Sequence, residues 1–82
     1  SNGAFARQIF GGLEVKKVLV HCTDNDKTVE AEILNYRQGH FLECSINTVK
    51  VRMPFMKATN GNQYVGNMAG YEFVTKEIDI GD

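Results

Sequence analysis

The chain has almost no proline, no tryptophan and no long apolar run, and its charges nearly cancel. Its 82 residues include one proline, Pro54, and two cysteines, Cys22 and Cys44. Each scarcity removes a class of protein. Two cysteines are too few for a disulfide framework, so reduced thiols and a cytoplasmic setting are expected. The apolar runs are only a few residues long, far short of the ~20 needed for a membrane-spanning helix, and no membrane role is expected. Nine Lys and Arg against ten Asp and Glu leave a net charge of −1. No domain-wide basic field exists to attract nucleic acid, so any such binding depends on a local patch. No signal-peptide pattern opens the chain, and Ser1-Asn2-Gly3 carries no structural weight.

What is present is ordinary for a globular domain: 43% hydrophobic and 23% charged residues. A chain of this length forms one domain, because its halves would be too small to enclose a core. It buries roughly 60% of its unfolded surface, which makes self-association or docking on a larger protein a natural source of added stability.

Gly and Asn punctuate the sequence at Gly11-Gly12, Thr23-Asp24-Asn25-Asp26, Gly39, Asn60-Gly61-Asn62, Gly66 and Gly70. The intervening segments are short and rich in Val, Ile, Tyr, Phe and Thr, the pattern of a strand meander. In the run from Leu13 to Cys22, Val18, Val20 and Cys22 share one face. Leu13 and Val15 fall in the opposite phase, and a bulge near Lys16-Lys17 would reconcile them. Val29, Ala31 and Ile33 alternate with Thr28, Glu30 and Glu32; Leu42, Cys44 and Ile46 alternate in the next run. Val49, Val51, Met53 and Phe55 point inward opposite Lys50 and Arg52, and the outward Pro54 suggests a sheet edge. Asn60-Gly61 is the strongest hairpin signal, as a type I′ turn with positive φ at both central residues.

These runs predict a mainly β domain over 13–76, an antiparallel barrel or strongly bent sheet of five to six strands. Segment 1–12 is expected to hold a short helical turn, with Phe5 and Ile9 four apart, and 77–82 an acidic tail that frays or adds a strand.

The chemistry-bearing residues favour binding over catalysis. His21 and Cys22 are adjacent and point to opposite sides of a strand. His40 and Cys44 share a face but lie roughly 13 Å apart. No metal site or cofactor is expected from such spacings. A Cys22–Cys44 disulfide is conceivable if the two strands are neighbours, but buried thiols are favoured in a reducing setting. No nucleophile elbow, Cys-His signature or carboxylate pair points to an enzyme. An anion site is suggested by Arg37 beside Gly39, where backbone amides are accessible, with the basic stripe Lys50, Arg52 and Lys57 nearby. Tyr36, Phe41, Tyr64 and Tyr71 are candidates for stacking on bases, and otherwise fill the core. The apolar run Met53-Pro54-Phe55-Met56 cannot all face one core, so Met53, Phe55 and Met56 are candidates for a protein interface.

The stretch from Ala31 to Val74 resembles a PilZ domain, a small β barrel that in many bacterial proteins binds cyclic di-GMP. The residues that carry the likeness are Ala31 to Leu42, with Asn35 and Gly39 in the turn, then Val49 to Phe55, then Tyr64 to Phe73. Nucleotide-binding members carry an Arg-x-x-x-Arg whose guanidinium groups hold the phosphates. Here Arg7 is followed four places later by Gly11, and Arg37 stands where the turn has Ser, with the spacing one residue short. The resemblance therefore implies an interaction barrel without the nucleotide signature, with Asn35, Arg37 and Gly39 of its turn as ligand-facing positions, to which the basic stripe adds Lys50 and Arg52. A second likeness joins Val18–Phe41 with Tyr64-Val65-Gly66-Asn67, which is similar to the two motifs of Sm-like RNA-binding barrels. Their Asp, Asn and Arg are not in place, and this is the alternative reading, with single-stranded RNA as ligand.

Overall fold

The computed structural model describes residues 5–10 and 13–81, with side chains from Val15 onward. The described residues run through seven strands in sequence order: β1 (Phe5–Phe10), β2 (Leu13–Cys22), β3 (Lys27–Arg37), β4 (Phe41–Ile46), β5 (Val49–Ala58), β6 (Gly61–Met68) and β7 (Tyr71–Lys76). Neighbours pair antiparallel, and β7 returns to β2 through His21↔Val74 and Cys22↔Phe73. Strands β2 to β7 thus close a six-stranded barrel, the mainly β architecture expected. β1 stands outside the ring, paired with the first half of β2 from Phe5↔Val18 to Phe10↔Leu13.

β1 replaces the helical turn expected from Phe5 and Ile9. A single helical turn leaves most of its amides unpartnered, whereas a ladder to β2 pairs them. The acidic tail forms a 3₁₀ turn, Glu77–Asp79. It then folds Ile80 against the end of the barrel, where that side chain is buried. Ser1 to Ala4, Gly11-Gly12 and Asp82 lie outside the described residues.

The period-two pattern sorts the ring. Val18, Val20 and Cys22 of β2, Ala31 of β3, Leu42, Cys44 and Ile46 of β4, Val51 and Met53 of β5, Tyr64 of β6 and Phe73 of β7 meet in the interior. Each such aliphatic or aromatic side chain contributes on the order of 1.5–3 kcal/mol when fully buried.

Two expectations about strand phase are corrected. β2 runs without a register shift through Lys16-Lys17, because its first half flanks β1 outside the ring and has no interior phase to keep. The bulge lies in β3 instead: Ile33 pairs with Cys44 and Asn35 with Glu43, leaving Leu34 extra. An extra residue reverses the alternation beyond it, so Tyr36, opposite Leu42, turns inward.

Pro54 is not on an edge, because β5 lies between β4 and β6. The Phe55 amide donates to the His40 carbonyl on the β4 side (2.9 Å). Strand alternation then aims the Pro54 nitrogen, which has no hydrogen, at β6. The β5–β6 ladder accordingly runs only from Phe55↔Tyr64 to Ala58↔Gly61. Gly66 makes the close crossing of the same two strands possible. A Cβ there would lie 2.7 Å from Met53 Cγ and 3.0 Å from the Arg52 carbonyl oxygen.

The type I′ geometry expected at Asn60-Gly61 is found elsewhere. In that hairpin only Gly61 has positive φ (125°), and it already belongs to β6 opposite Ala58. Both central residues are left-handed in two other two-residue turns, Asn47-Thr48 (50° and 67°) and Ala69-Gly70 (53° and 82°). A β-branched residue at positive φ is strained by roughly 1–3 kcal/mol.

Two stability predictions follow from these positions. Thr48→Gly is expected to stabilise the domain by about 0.5–1 kcal/mol, since relief of the left-handed strain outweighs the entropy of the added glycine. Urea unfolding with an unchanged or lowered midpoint would contradict it. Gly66→Ala is expected to lower stability by about 1–3 kcal/mol, because the obstructing Arg52 carbonyl is backbone and cannot swing away. An unchanged urea midpoint would show that β5 and β6 can separate freely at this crossing.

Candidate functional site

The interior is filled by side chains, so the outer wall and the ends of the barrel are what the domain presents. Cross-strand register aligns the outward residues in rows. One row begins with the pairs Arg37↔Phe41 and Phe41↔Pro54. Val65 follows beside Pro54, since their neighbours Phe55 and Tyr64 are paired. Val65↔Val74 and His21↔Val74 complete it. Phe41, Val65 and Val74 are half-buried and Pro54 is exposed. Four apolar residues thus occupy consecutive outward positions on β4 to β7, a band roughly 14 Å long at one strand spacing per step. Outward positions of a barrel in water are ordinarily polar.

Each end of the band has its own chemistry. At the β4 end the Arg52 guanidinium lies over the Phe41 ring, 4.0 Å from its centroid. Such a pair is worth about 0.5–1 kcal/mol at an exposed site. At the β2 end the band enters a shallow groove of about 700 Å³, with Leu19 and Val74 in its floor and His21, Thr28, Glu72 and Lys76 around it. His21 is fixed there by Asp26 at Nε2 (3.0 Å) and Thr28 Oγ1 at Nδ1 (3.2 Å). Nε2 donates to the Asp26 carboxylate, and the Thr28 hydroxyl, able to donate or accept, completes the hydrogen bonding of the ring at Nδ1.

The sequence-predicted ligand residues gather beside this band. Asn35↔Glu43↔Arg52 form the next outward row, and Arg37 borders Phe41. The structure therefore brings Asn35, Arg37 and Arg52 onto one face, with Lys50 next to them. Glu43, mostly covered by its neighbours, sits in their midst: Arg52 Nη1 lies 3.3 Å from one carboxylate oxygen and Lys50 Nζ 3.9 Å from the other. A carboxylate at the centre of the basic stripe competes with any incoming phosphate. Gly39 does not offer its amide to an anion, since that N–H donates to Tyr64 Oη (3.0 Å).

Of the interface candidates, Met53 is wholly buried and Phe55 is half-buried against the Tyr64 ring. Only Met56 presents a large surface, at 51% exposure. The apolar run divides by strand alternation, with Met53 and Phe55 inward and Pro54 and Met56 outward. The sequence reading missed Val65, Val74 and Leu19. Their signal was legible as apolar residues in the polar phase of β6, β7 and β2, although it needs the register to show that they adjoin.

The other end of the barrel is tied by Tyr64. Its hydroxyl donates to Glu77 Oε1 (2.9 Å), accepts the Gly39 amide, and lies 3.4 Å from the Tyr36 hydroxyl. The Tyr36 and Tyr64 rings meet edge to face. This network joins the β3–β4 turn, β6 and the C-terminal turn, and burial pushes the Tyr64 pKa well above its usual value.

Cys22 and Cys44 are free and buried. Cys44 Sγ lies 3.7 Å from Met53 Sδ. Among the described residues no three His, Cys, Asp or Glu side chains gather as a metal would require. No helix among them is long and apolar enough to cross a membrane. The fold defines a small closed antiparallel β-barrel, and no family model, curated protein or solved structure matches the chain.

Burial pushes the Cys44 thiol up to about 11 from 9.0. The folded state therefore holds this proton when the unfolded chain has released it. The resulting stability is intact below pH 9 and is lost as pH rises toward about 11, at about 1.4 kcal/mol per pH unit for one proton. Urea midpoints measured from pH 8 to 10.5 are expected to fall across that window and to fall less steeply in Cys44→Ala. Parallel profiles for the two proteins would show that Cys44 is not a source of the loss.

Proposed function

We propose that this barrel is a non-catalytic protein-interaction module that engages its partner through the outer wall of β4 to β7. The observation carrying this reading is the apolar band Phe41–Pro54–Val65–Val74, four aligned outward positions where a solvated barrel wall carries polar groups. An aromatic residue stacked by arginine at one end and a groove at the other supply the kinds of anchor that dominate protein contacts. The partner is a different protein or a second copy of the chain, in line with the modest core of so small a domain.

The reading accords with a PilZ-like barrel that lacks the Arg-x-x-x-Arg nucleotide signature. Glu43 within the Lys50–Arg52 stripe and the engaged Gly39 amide support placing protein contact ahead of cyclic di-GMP or RNA.

The test compares the wild-type domain with Val65→Lys/Val74→Lys, two exposed-face changes expected to leave the far-ultraviolet circular dichroism and thermal midpoint nearly unchanged. Sedimentation across a range of concentrations reads self-association, and affinity capture from the source cells reads a foreign partner. The double variant is expected to lose at least tenfold in whichever association the wild type shows, equivalent to 1.4 kcal/mol. Equal association by both proteins would move the interface off this wall. A thermal shift of several degrees with micromolar cyclic di-GMP would restore the nucleotide reading.

A further inference from the structure

We propose that the edge of β3 from Ile33 to Arg37 is a second binding site, which receives an extended peptide segment by strand addition. The ladder between β2 and β3 begins at Cys22↔Lys27 and stops at Lys17↔Glu32. Beyond that point β2 leaves the ring to run beside β1, while β3 continues with β4 alone on its other side. Among the described residues the wall of the barrel therefore has a seam one strand deep, which Ile80 of the C-terminal turn covers in part and no further strand pairs with.

The backbone at this seam has hydrogen-bonding groups to give. The Arg37 carbonyl accepts the His40 amide in the β3–β4 turn, so Arg37 faces β4. By strand alternation, the N–H and C=O of Tyr36 point away from β4, into the seam. Unpaired strand edges of this kind are templates for another strand. A bulge beside the edge, at Leu34, limits its pairing length and guards against indiscriminate sheet growth.

The seam is also shaped to take side chains. It opens on a cavity of about 280 Å³ with Ile33, Tyr36 and Ile80 as apolar wall and Lys16, Gln38 and Glu77 as polar rim. The bulge leaves Leu34 at 47% exposure on the same strand. Charge selects the occupant further. Glu77 is already engaged by Tyr64 and Asn62, whereas Lys16 has no carboxylate partner among the described residues. The peptide that fits has an extended backbone, alternate apolar side chains and an acidic residue placed to meet Lys16. This site is separate from the β4–β7 band, and its failure leaves the outer-wall reading standing.

The experiment uses isotope-labelled full chain and two synthetic probes: acetyl-Thr-Val-Glu-Val-Thr-amide, and the same peptide N-methylated at alternate residues. In the free protein the Tyr36 amide is expected to exchange with solvent far faster than the amides of Val20 or Cys44. The unmethylated probe is expected to shift the resonances of 33–37 and of Lys16, and to slow exchange at Tyr36. N-methylation is expected to weaken binding at least tenfold, and Lys16→Glu several-fold. Val65→Lys/Val74→Lys is expected to bind the probe as wild type does. A Tyr36 amide as protected as the core amides would overturn the proposal, since the edge would then be closed. So would resonances unmoved at millimolar probe, shifts that persist with the methylated probe, or shifts that map to Phe41–Val74.

Discussion

The barrel closes on a seam of only two residue pairs, His21↔Val74 and Cys22↔Phe73, and the rest of the architecture depends on how that seam is held. The turn after β2 lengthens it with side chains. The Thr23 amide donates to the Glu72 carbonyl at 3.0 Å, the Thr23 hydroxyl to Glu72 Oε1 at 2.8 Å, and the Glu72 amide to Asp24 Oδ2 at 2.7 Å. A polar turn that looks like a solvated loop thus continues the ladder where the backbone of β2 has ended. Without it, β7 and the last residues of β2 would present unpaired edges, the arrangement that barrels exist to remove.

Closure at the far end of β2 has a consequence at the near end. Because β7 takes only His21 and Cys22, the first half of β2 is free to hold β1 outside the ring. β3 then loses its partner beyond Glu32. The C-terminal turn covers part of that gap with Ile80 and is tied in place by Glu77 to Tyr64, the residue that also anchors the Gly39 turn. One polar network thus holds the C-terminal turn at the gap that β2 leaves beside β3.

Much of the interior was legible in the sequence. Alternation alone put Val18, Val20, Cys22, Leu42, Cys44, Ile46, Val51 and Met53 inside, and burial follows that assignment, whereas Val49, placed inward by the same alternation, is 48% exposed at the start of β5. The positions of the bulge and of the type I′ turns were not legible, because both are decided by partners distant in sequence. Leu34 is extra only relative to Cys44 and Glu43. Asn47-Thr48 is driven left-handed by the twist of the strands it joins, against the preference of threonine, while the more favourable Asn60-Gly61 pair is displaced by one residue. The N-terminal segment shows the same limit: Phe5 and Ile9 have helical spacing, but a strand partner was available. At the site, Asn35, Arg37 and Arg52 were recognisable by residue type and do share a face. Glu43, which sits among the basic side chains, was readable only as one more outward carboxylate.

The register explains why the outer wall carries an apolar band at all. An outward valine or proline in one strand is unremarkable, since more than half of any protein surface is apolar. Phe41, Pro54, Val65 and Val74 come from four strands, and a shift of one residue between any two would break the row and turn one member inward. The core fixes that register through the inward pairs next along the same strands, Leu42 with Met53 and Gly66 with Phe73. The register that places the core thus also places the band, and engagement of a partner there, as proposed, would require little ordering of the wall itself. Such preorganisation would lower the entropy lost on association, which is how a wall of four apolar side chains would support specific contact.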